Sequence, residues 1–530
     1  MSKVLVLDNV DDICKQILEE RGLEVAVDAK LSDEELVEKL SDKEAVIIRS
    51  ATKLRAPVLE KVSNLKVIGR AGVGVDNIDV DAATKNGILV MNTPDGNTIS
   101  TAEHACGLIL SAARNIPNAV DSLKNDRWDR KKYQGSELHG KKLGIVGLGK
   151  IGAEVAKRMQ AFGMDVLAYD PFTTHERAEE LGVELRDVEE LLGEVDFLTV
   201  HTPLTEKTKG LVSLKNAEKL KKGIRIVNCA RGGIYEEEDL IPLIDKGYVG
   251  GVALDVYSQE PPDEKLYELL KHPQIICTPH LGASTEEAQE KVAEQIARQV
   301  ADAIEGKGFK GSLNGKSIAL STNKEVQPFL ELAQKLGEFV AQIAPKNQDT
   351  IDLSYTGTCS KHAEVLTDAF LTGFLDESID EMVNLISARF HADERGLKIR
   401  ESHSKESEIY SDLITVDLDK DAIFHHFSAT PFRDGDKRLV DINGFGIELS
   451  LEGHIVLWQN EDKPGMLAAA SGKLAENNVN IANLSLGRSK KEKGKDAITA
   501  FTVDTPLKPE DIQALEDIDG VHNVSYVSLK

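Results

Sequence analysis

Cysteine is scarce in this chain: five in 530 residues (Cys14, Cys106, Cys229, Cys277 and Cys359), none at CxxC spacing. That scatter argues against both a disulfide framework and a zinc ribbon, and leaves free thiols as the expectation. Long apolar runs are missing too. Stretches such as Ile145 to Gly149 or Gly107 to Ala113 fall far short of a membrane span. The opening residues, Met1 to Asp8, read as a first strand rather than a leader, so the expected location is the cytoplasm. Basic charge is in deficit, with 64 Lys and Arg against 89 Asp and Glu and a formal charge of −25. General attraction to nucleic acid or to an anionic membrane is therefore not expected, and an anionic substrate would need a local basic pocket. What the chain does have is 41% apolar residues, enough to give a core to each of about three or four domains.

The most informative stretch is Gly147-Leu148-Gly149-Lys150-Ile151-Gly152. It follows an apolar strand reading, Leu143 to Val146, and runs into a helical one, Ala153 to Gln160. A bare GxGxxG also closes ordinary loops, so its surroundings decide. A second apolar run, Asp165 to Tyr169, ends in Asp170, about twenty residues beyond the glycines, where a carboxylate would accept adenosine ribose hydroxyls. The glycines allow a tight turn and close approach to a pyrophosphate, and the helix N-terminus faces it with partial positive charge. These features predict a nicotinamide-dinucleotide site, and Asp170 without an arginine directly after it favours NAD over NADP.

Further strand readings follow at Phe197 to His201, Ile224 to Asn228, Val252 to Asp255 and Ile275 to Thr278. Six strands alternating with helices predict a doubly wound parallel sheet, with chemistry at the strands' carboxyl ends. Residues 1 to about 94 form a separate α/β unit, with strands at Val4 to Leu7, Ala45 to Ile48, Val67 to Ile68 and Ile88 to Met91 and a capping box from Ser32 to Glu35. Beyond a helix at Thr285 to Glu305 and a glycine-rich boundary at Gly306 to Gly315, residues 315 to 450 mix helices and strands without catalytic spacing. From His454 the order is strand, helix, two strands, helix and strand, the ferredoxin-like arrangement.

Three polar residues follow strand ends beyond the glycine turn: Arg231, Glu260 and His280. Taken singly, such residues are more often structural or solvated; three of them at strand ends of one nucleotide fold point to a site. Interconverting a 2-hydroxy acid and a 2-oxo acid needs a cation for carboxylate and carbonyl, and an acid/base for the hydroxyl proton. Arginine suits the first task through its bidentate fork. Histidine suits the second, and a neighbouring glutamate would raise its pKa and fix its tautomer. His201 reads as a strand-end residue beside the cofactor, Lys124 to Lys132 as mainly solvated surface, and His425-His426 as packing or surface, since no further ligand stands at zinc spacing.

The stretches Ile48 to Lys53, Gly69 to Ile78, Met91 to Asn97, Gly147 to Gly152, Asn228 to Gly233 and Pro279 to Thr285 resemble the D-isomer-specific 2-hydroxy acid dehydrogenases. Over the whole chain the likeness is to that family's long form, with intervening and ACT domains. The resemblance implies a Rossmann domain at 95–281 inserted in a split, flavodoxin-like substrate domain of 1–94 plus 282–310. An α+β intervening, anion-binding-like domain at 311–452 and a ferredoxin-like ACT domain at 453–530 would follow. It further implies Arg231, Glu260 and His280 as the catalytic trio. The NAD site would comprise Gly147, Gly149, Lys150, Ile151, Gly152, Asp170, Thr202, Cys229, Ala230, Arg231, Asp255, His280, Gly282 and Ala283. The substrate implied is 3-phospho-D-glycerate, held by Arg49, Ser50, Arg70, Gly72, Val73 and Gly74 with Arg231 and His280. Arg130 would reach over from a neighbouring subunit of a homo-oligomer, dimer or tetramer. L-Serine as effector would meet Asn460, Asp462 and Asn480 in the ACT unit. For Arg49 and Arg70 the bland reading is a pair of interdomain salt bridges, and for the ACT unit a dimerising role alone. A relative acting on glyoxylate, hydroxypyruvate or 2-oxoglutarate would not need the phosphate pocket. A nucleotide-sensing corepressor on this scaffold is disfavoured by the ACT unit and by the absence of a basic or disordered tail.

Overall fold

A computed structural model describes residues 2–529 apart from 346–347, 377–382, 406–408, 420–421, 433–434 and 489–494. The first sheet is parallel, built from β1 (Lys3–Val6), β2 (Glu24–Val27), β3 (Ala45–Ile48), β4 (Val67–Arg70) and β5 (Leu89–Asn92), in the order β2-β1-β3-β4-β5. That is the flavodoxin-like order. Sequence pattern missed β2 because it is an edge strand whose residues Glu24 and Val27 are exposed, so no buried run marks it. The capping box at Ser32 is present: Ser32 Oγ accepts from Glu35 N, and Glu35 accepts from Ser32 N at 2.8 Å.

The helix Glu286–Ile304 returns the chain to this sheet. Its buried residues Val292, Ala293, Ile296, Ala297 and Val300 recur at helical spacing and face the sheet. Contact is close enough that a Cβ on Gly69 would lie 2.6 Å from Val300 and 2.9 Å from Ile296. Only a glycine lets this helix press against the strand that delivers Arg70. Residues 311–314 then run along β5, where Leu313 N donates to Val90 O at 2.9 Å.

The second sheet contains β6 (Lys142–Val146), β7 (Asp165–Tyr169), β8 (Glu184–Leu185), β9 (Phe197–Val200), β10 (Ile224–Asn228), β11 (Val249–Leu254) and β12 (Ile275–Cys277). All pairs are parallel and the order is β12-β11-β10-β9-β6-β7-β8. The chain therefore reverses direction across the sheet between β6 and β9, the switch point where this fold opens a crevice. The sequence pattern predicts six strands and the structure has a seventh, β8, whose two residues are too few to produce a hydrophobic period. The helix Lys150–Ala161 buries Gly152, Val155, Ala156 and Met159, a stripe at i, i+3, i+4 and i+7. Burying side chains the size of Val155 or Met159 contributes about 1.5–3 kcal/mol each.

The third sheet comprises β13 (Thr350–Gly357), β14 (Lys398–Ser404), β15 (Asp412–Asp417), β16 (His426–Pro431), β17 (Lys437–Ile442) and β18 (Phe445–Ser450), in the order β14-β13-β15-β16-β17-β18. Helices Gln327–Ile343 and Ala363–Asp376 pack beside it, crossing at Gly337 and Gly373 where added Cβ atoms would fall 2.1 Å and 2.0 Å from facing carbonyls. β19 (His454–Glu461), β20 (Ile481–Arg488), β21 (Asp496–Val503) and β22 (Val521–Ser528) form the last sheet in the order β20-β21-β19-β22. This is the ferredoxin-like βαββαβ unit read from the sequence. One face of it shares a core with the third sheet, since Ile455, Leu457, Ile498 and Val527 cluster with Phe339, Phe427 and Leu449. Among the described residues no helix is long and apolar enough to cross a membrane.

Candidate active site

Adjacent strands β10, β11 and β12 end side by side, and their following loops bring Arg231, Glu260 and His280 into one cleft. His280 Nδ1 lies 2.6 Å from Glu260 Oε2. The other carboxylate oxygen, Oε1, accepts from Tyr257 N at 3.1 Å, so Glu260 is fixed at both ends. Glu260 raises the His280 pKa above its ordinary value by hydrogen bonding to the imidazolium; burial and Arg231 act in the opposite sense. With Nδ1 turned to Glu260, Nε2 is left to exchange a proton with a substrate hydroxyl. His280 itself has φ +55°, a left-handed conformation that is uncommon for a residue with a Cβ and is found at functional sites.

Arg231 is set by its own loop. Nη1 donates to Ala230 O at 2.7 Å, while Asn228 Nδ2 donates to Arg231 O and Asn228 Oδ1 accepts from Ala230 N. Nε meets Asp76 of the facing wall at 3.1 Å. A Cβ on Gly74 would lie 2.2 Å from Arg231 Nη2, so this glycine makes room for the guanidinium.

That facing wall is made by the ends of β3 and β4, paired in register at Ile48 and Arg70. Arg49 N and Thr52 N both donate to Asp8 Oδ2, and Thr52 Oγ1 donates to Asp8 Oδ1 at 2.6 Å. Asn77 Nδ2 donates to Arg49 O and Thr52 O at 2.7 Å each. The loop of Arg49, Ser50 and Thr52 is therefore rigidly held, by Asn77 of the Gly69 to Ile78 stretch and by Asp8, which in sequence reads only as the end of a first strand. Gly72 and Val73 continue it: Asn92 Nδ2 donates to Val73 O, and a Cβ on Gly72 would strike Arg70 Nη1 at 1.5 Å. Burial, then Arg231, then Arg49 bring the Arg70 pKa down to about 10, so the guanidinium stays charged at neutral pH. Burial also lowers that of Arg49. Among the described residues Arg70 Nε is buried without a hydrogen-bond partner. Three guanidinium groups thus crowd one cleft, a costly arrangement that an anion relieves.

The nucleotide crevice lies beside this cleft. A Cβ on Gly147 would meet His201 O at 2.5 Å and one on Gly152 would meet Gly147 O at 2.1 Å, whereas the space beside Gly149 is open. The turn is a cradle with room on its outer side, and the residues fit a dinucleotide. Asp170 sits at the end of β7, where Oδ2 accepts from Leu148 N at 2.7 Å and Oδ1 accepts from Phe172 N and Thr173 N. Lys150, at the helix start, forms an ion pair with Asp95 on the connection that follows β5. Ile151 and Thr202 are half-buried. Cys229 is buried, which pushes its thiol pKa well up and removes it as a nucleophile. Ala230 lies beside it, and burial lowers His201 to about 4, so that ring is neutral and is no second acid/base.

Asp255 is fully buried. It accepts from Thr278 Oγ1 at 2.6 Å, Leu281 N at 2.7 Å and Gly282 N at 2.8 Å, and lies 3.1 Å from His104 Nε2. Burial opposes its charge, but these bonds outweigh burial and hold the carboxyl below its usual range. Asp255 therefore shapes the Leu281-Gly282-Ala283 turn from beneath. His104 was missed because its partner is 151 residues away. Asn97 Oδ1 and Thr98 Oγ1, at the connection between the first two sheets, are buried without hydrogen-bond partners among the described residues.

The remaining candidates lie elsewhere. Arg130 is exposed. Asn460 is 2% exposed, and its Oδ1 accepts from Thr499 Oγ1 at 2.8 Å. Asp462 lies 3.2 Å from Arg488 Nε, and Asn480 Nδ2 donates to Asp504 at 2.6 Å. His426 Nδ1 pairs with Asp417 at 2.7 Å, and no metal-holding cluster occurs among the described residues.

Comparison with known proteins identifies the family. Residues 106–282 match the model for the NAD binding domain of D-isomer specific 2-hydroxyacid dehydrogenases, residues 325–443 the D-3-phosphoglycerate dehydrogenase intervening domain, and residues 454–520 the ACT domain. The chain is 41% identical to D-3-phosphoglycerate dehydrogenase of Bacillus subtilis over all of both chains. The Archaeoglobus fulgidus enzyme of that name is 40% identical, over 99% of this chain and 100% of its own. The human one is 45% identical over 76% of each. Among solved structures, D-lactate dehydrogenase from Aquifex aeolicus complexed with NAD and lactic acid superposes with a TM-score of 0.52 at 27% identity, over 57% of this chain and 96% of that one.

Proposed function

The chain belongs to the D-3-phosphoglycerate dehydrogenase family, and from that premise we propose that it oxidises 3-phospho-D-glycerate with NAD to 3-phosphooxypyruvate, the first step of L-serine biosynthesis. The observation that carries this reading is the meeting of Arg49, Arg70 and Arg231 in one cleft beside the His280–Glu260 pair. A dianionic phosphate and a carboxylate on one short substrate need three such cations.

In this reaction Arg231 binds the carboxylate and polarises the oxygen on C2. Arg49 and Arg70 hold the phosphate, with the Gly72-Val73-Gly74 backbone lining the wall. His280 Nε2 takes the hydroxyl proton during oxidation and returns it during reduction, and Glu260 stabilises the imidazolium that forms. Gly147 to Gly152, Asp170, Thr202 and the Cys229-Ala230 backbone would hold NAD, which when bound accepts the hydride from C2. Asp255 keeps the Leu281 to Ala283 turn in shape beneath it.

For the ACT unit the proposal is an L-serine site involving Asn460, Asp462 and Asn480, formed in a cytoplasmic homo-oligomer. Each of these side chains already has a partner within the chain, so serine would bind by replacing those bonds. The test is NADH consumption with 3-phosphooxypyruvate beside hydroxypyruvate and 2-oxoglutarate, each with and without L-serine. A strong preference for the phosphorylated substrate, suppressed by serine, is expected. Equal rates without the phosphate would remove the role given to Arg49 and Arg70, and insensitivity to serine would leave the ACT unit as an assembly module.

A further inference from the structure

Glu237 is a buried acid, 7% exposed, on the segment that follows Arg231. Its neighbours in sequence have ordinary surface duties: Glu238 pairs with Lys265, and Asp239 accepts from Leu214 N at 2.8 Å. Glu237 has a different arrangement. Among the described residues its carboxylate has two hydrogen-bond donors, and both are on Ser258: Oε1 accepts from the backbone N at 2.7 Å and Oε2 from Oγ at 2.5 Å. Among the described residues it has no ion pair, and the two bonds tie down one residue of the loop that carries Glu260.

Ser258 adjoins Tyr257, whose N donates to Glu260 Oε1 and whose hydroxyl donates to Thr278 O at 2.8 Å. Thr278 O in turn accepts from His280 N at 3.0 Å. Against the other side of this loop, a Cβ on Gly232 would lie 1.9 Å from Tyr257 C and 2.2 Å from Ser258 N. The Arg231 loop and the Glu260 loop are therefore packed backbone to backbone, with Glu237 as the polar tie between them.

We propose that Glu237 is a positioning residue: by clamping Ser258 it holds Glu260 against His280 and fixes the Arg231 loop to the same frame. The proposal rests on the reaction reading above for its kinetic consequences, but its structural content does not depend on the substrate.

The test uses the full chain with NAD bound and histidine labelled for NMR, the His280 signal being assigned by its loss in His280→Gln. The charged groups facing His280 are Glu260, Asp255 and Arg231. Glu237→Ala frees the Glu260 loop, so His280 should titrate at lower pH than in the parent enzyme. Glu237→Gln keeps an acceptor for Ser258 N and should restore most of that difference. Turnover of 3-phosphooxypyruvate in Glu237→Ala should fall about tenfold with KM changed less than about twofold, and NAD affinity should hold. If Glu237→Ala does not fold, Ser258→Ala removes only the hydroxyl bond and should move the titration in the same direction by less. An unchanged His280 titration in the variants would overturn the clamp, as would a joint fall of turnover and NAD affinity, which marks general loosening. A parent enzyme that binds NAD but does not turn over the phosphorylated substrate would sink the reaction reading, and the titration would still decide the clamp.

Discussion

The two walls of the cleft are finished to different degrees. On the wall from the second sheet each group proposed for catalysis already has its partner: His280 is bonded to Glu260, Glu260 to Tyr257 N, and Arg231 to Ala230 O and Asp76. On the wall from the first sheet the loop backbone is tied down by Asp8 and Asn77 while Arg70 Nε is buried without a hydrogen-bond partner among the described residues. The difference follows from the work each wall has to do. A proton relay must be oriented before the substrate arrives, because its geometry sets the barrier. An anion site completes its hydrogen bonds with the anion itself, so the protein prepays only the framework.

The sharpest break between the walls is His280→Ala. Turnover should drop by about 10²–10⁴-fold while NADH affinity, measured by fluorescence titration, stays near that of the parent. Loss of NADH binding would place His280 in the nucleotide framework instead. Next in size is Arg70→Ala. Its kcat/KM for 3-phosphooxypyruvate should fall about 10–100-fold, the equivalent of about 1.5–3 kcal/mol of charged hydrogen bonding, with hydroxypyruvate much less affected. A parallel loss for both substrates would show that Arg70 serves the fold rather than the phosphate.

A third measurement probes the relay by pH. Reduction needs protonated His280, so the reductive kcat/KM should fall as pH rises through a His280 pKa that Glu260 holds above the usual histidine value. Oxidation needs the neutral ring and should rise over the same window. In Glu260→Gln both limbs should move to lower pH; limbs that stay fixed would assign them to another group. The smallest effect is expected for Asp76→Asn, which removes an ion pair joining Arg231 to the opposite wall. Asp76 is largely exposed, and exposed pairs contribute about 1 kcal/mol or less, so KM should change by no more than about fivefold.

Much of the second-sheet wall was legible from the sequence. The glycine turn, Asp170 and the three catalytic candidates sit directly after apolar runs, where local periodicity and turn chemistry point to them. The framework of both walls was not. Asp8 reaches Arg49 and Thr52 over 41 and 44 residues, and His104 reaches Asp255 over 151. Glu237 lies in a run of four acids, Glu236 to Asp239, and its burial and its bonds to Ser258 set it apart from Glu238 and Asp239. Five strands escaped the sequence reading. β2 is a half-exposed edge, β8 has two residues, and β14 is exposed along most of its length, so none of these three carries the alternation that marks a half-buried strand; β16 and β17 are buried over consecutive residues and lack it too.

The sequence by itself determined the chemistry available: a dinucleotide turn, an acid at the end of the next strand, a histidine and a glutamate, and arginines at strand ends. Those are properties of short segments, set by backbone freedom and side-chain type. Only the tertiary structure decided that Arg49 and Arg70 stand opposite Arg231. Three cations repel, and nothing local brings them together. They meet because the helix Glu286–Ile304 buries its apolar face on the first sheet and returns the chain to it after the second sheet. The free energy of that packing holds like charges in one cleft until an anion arrives to balance them.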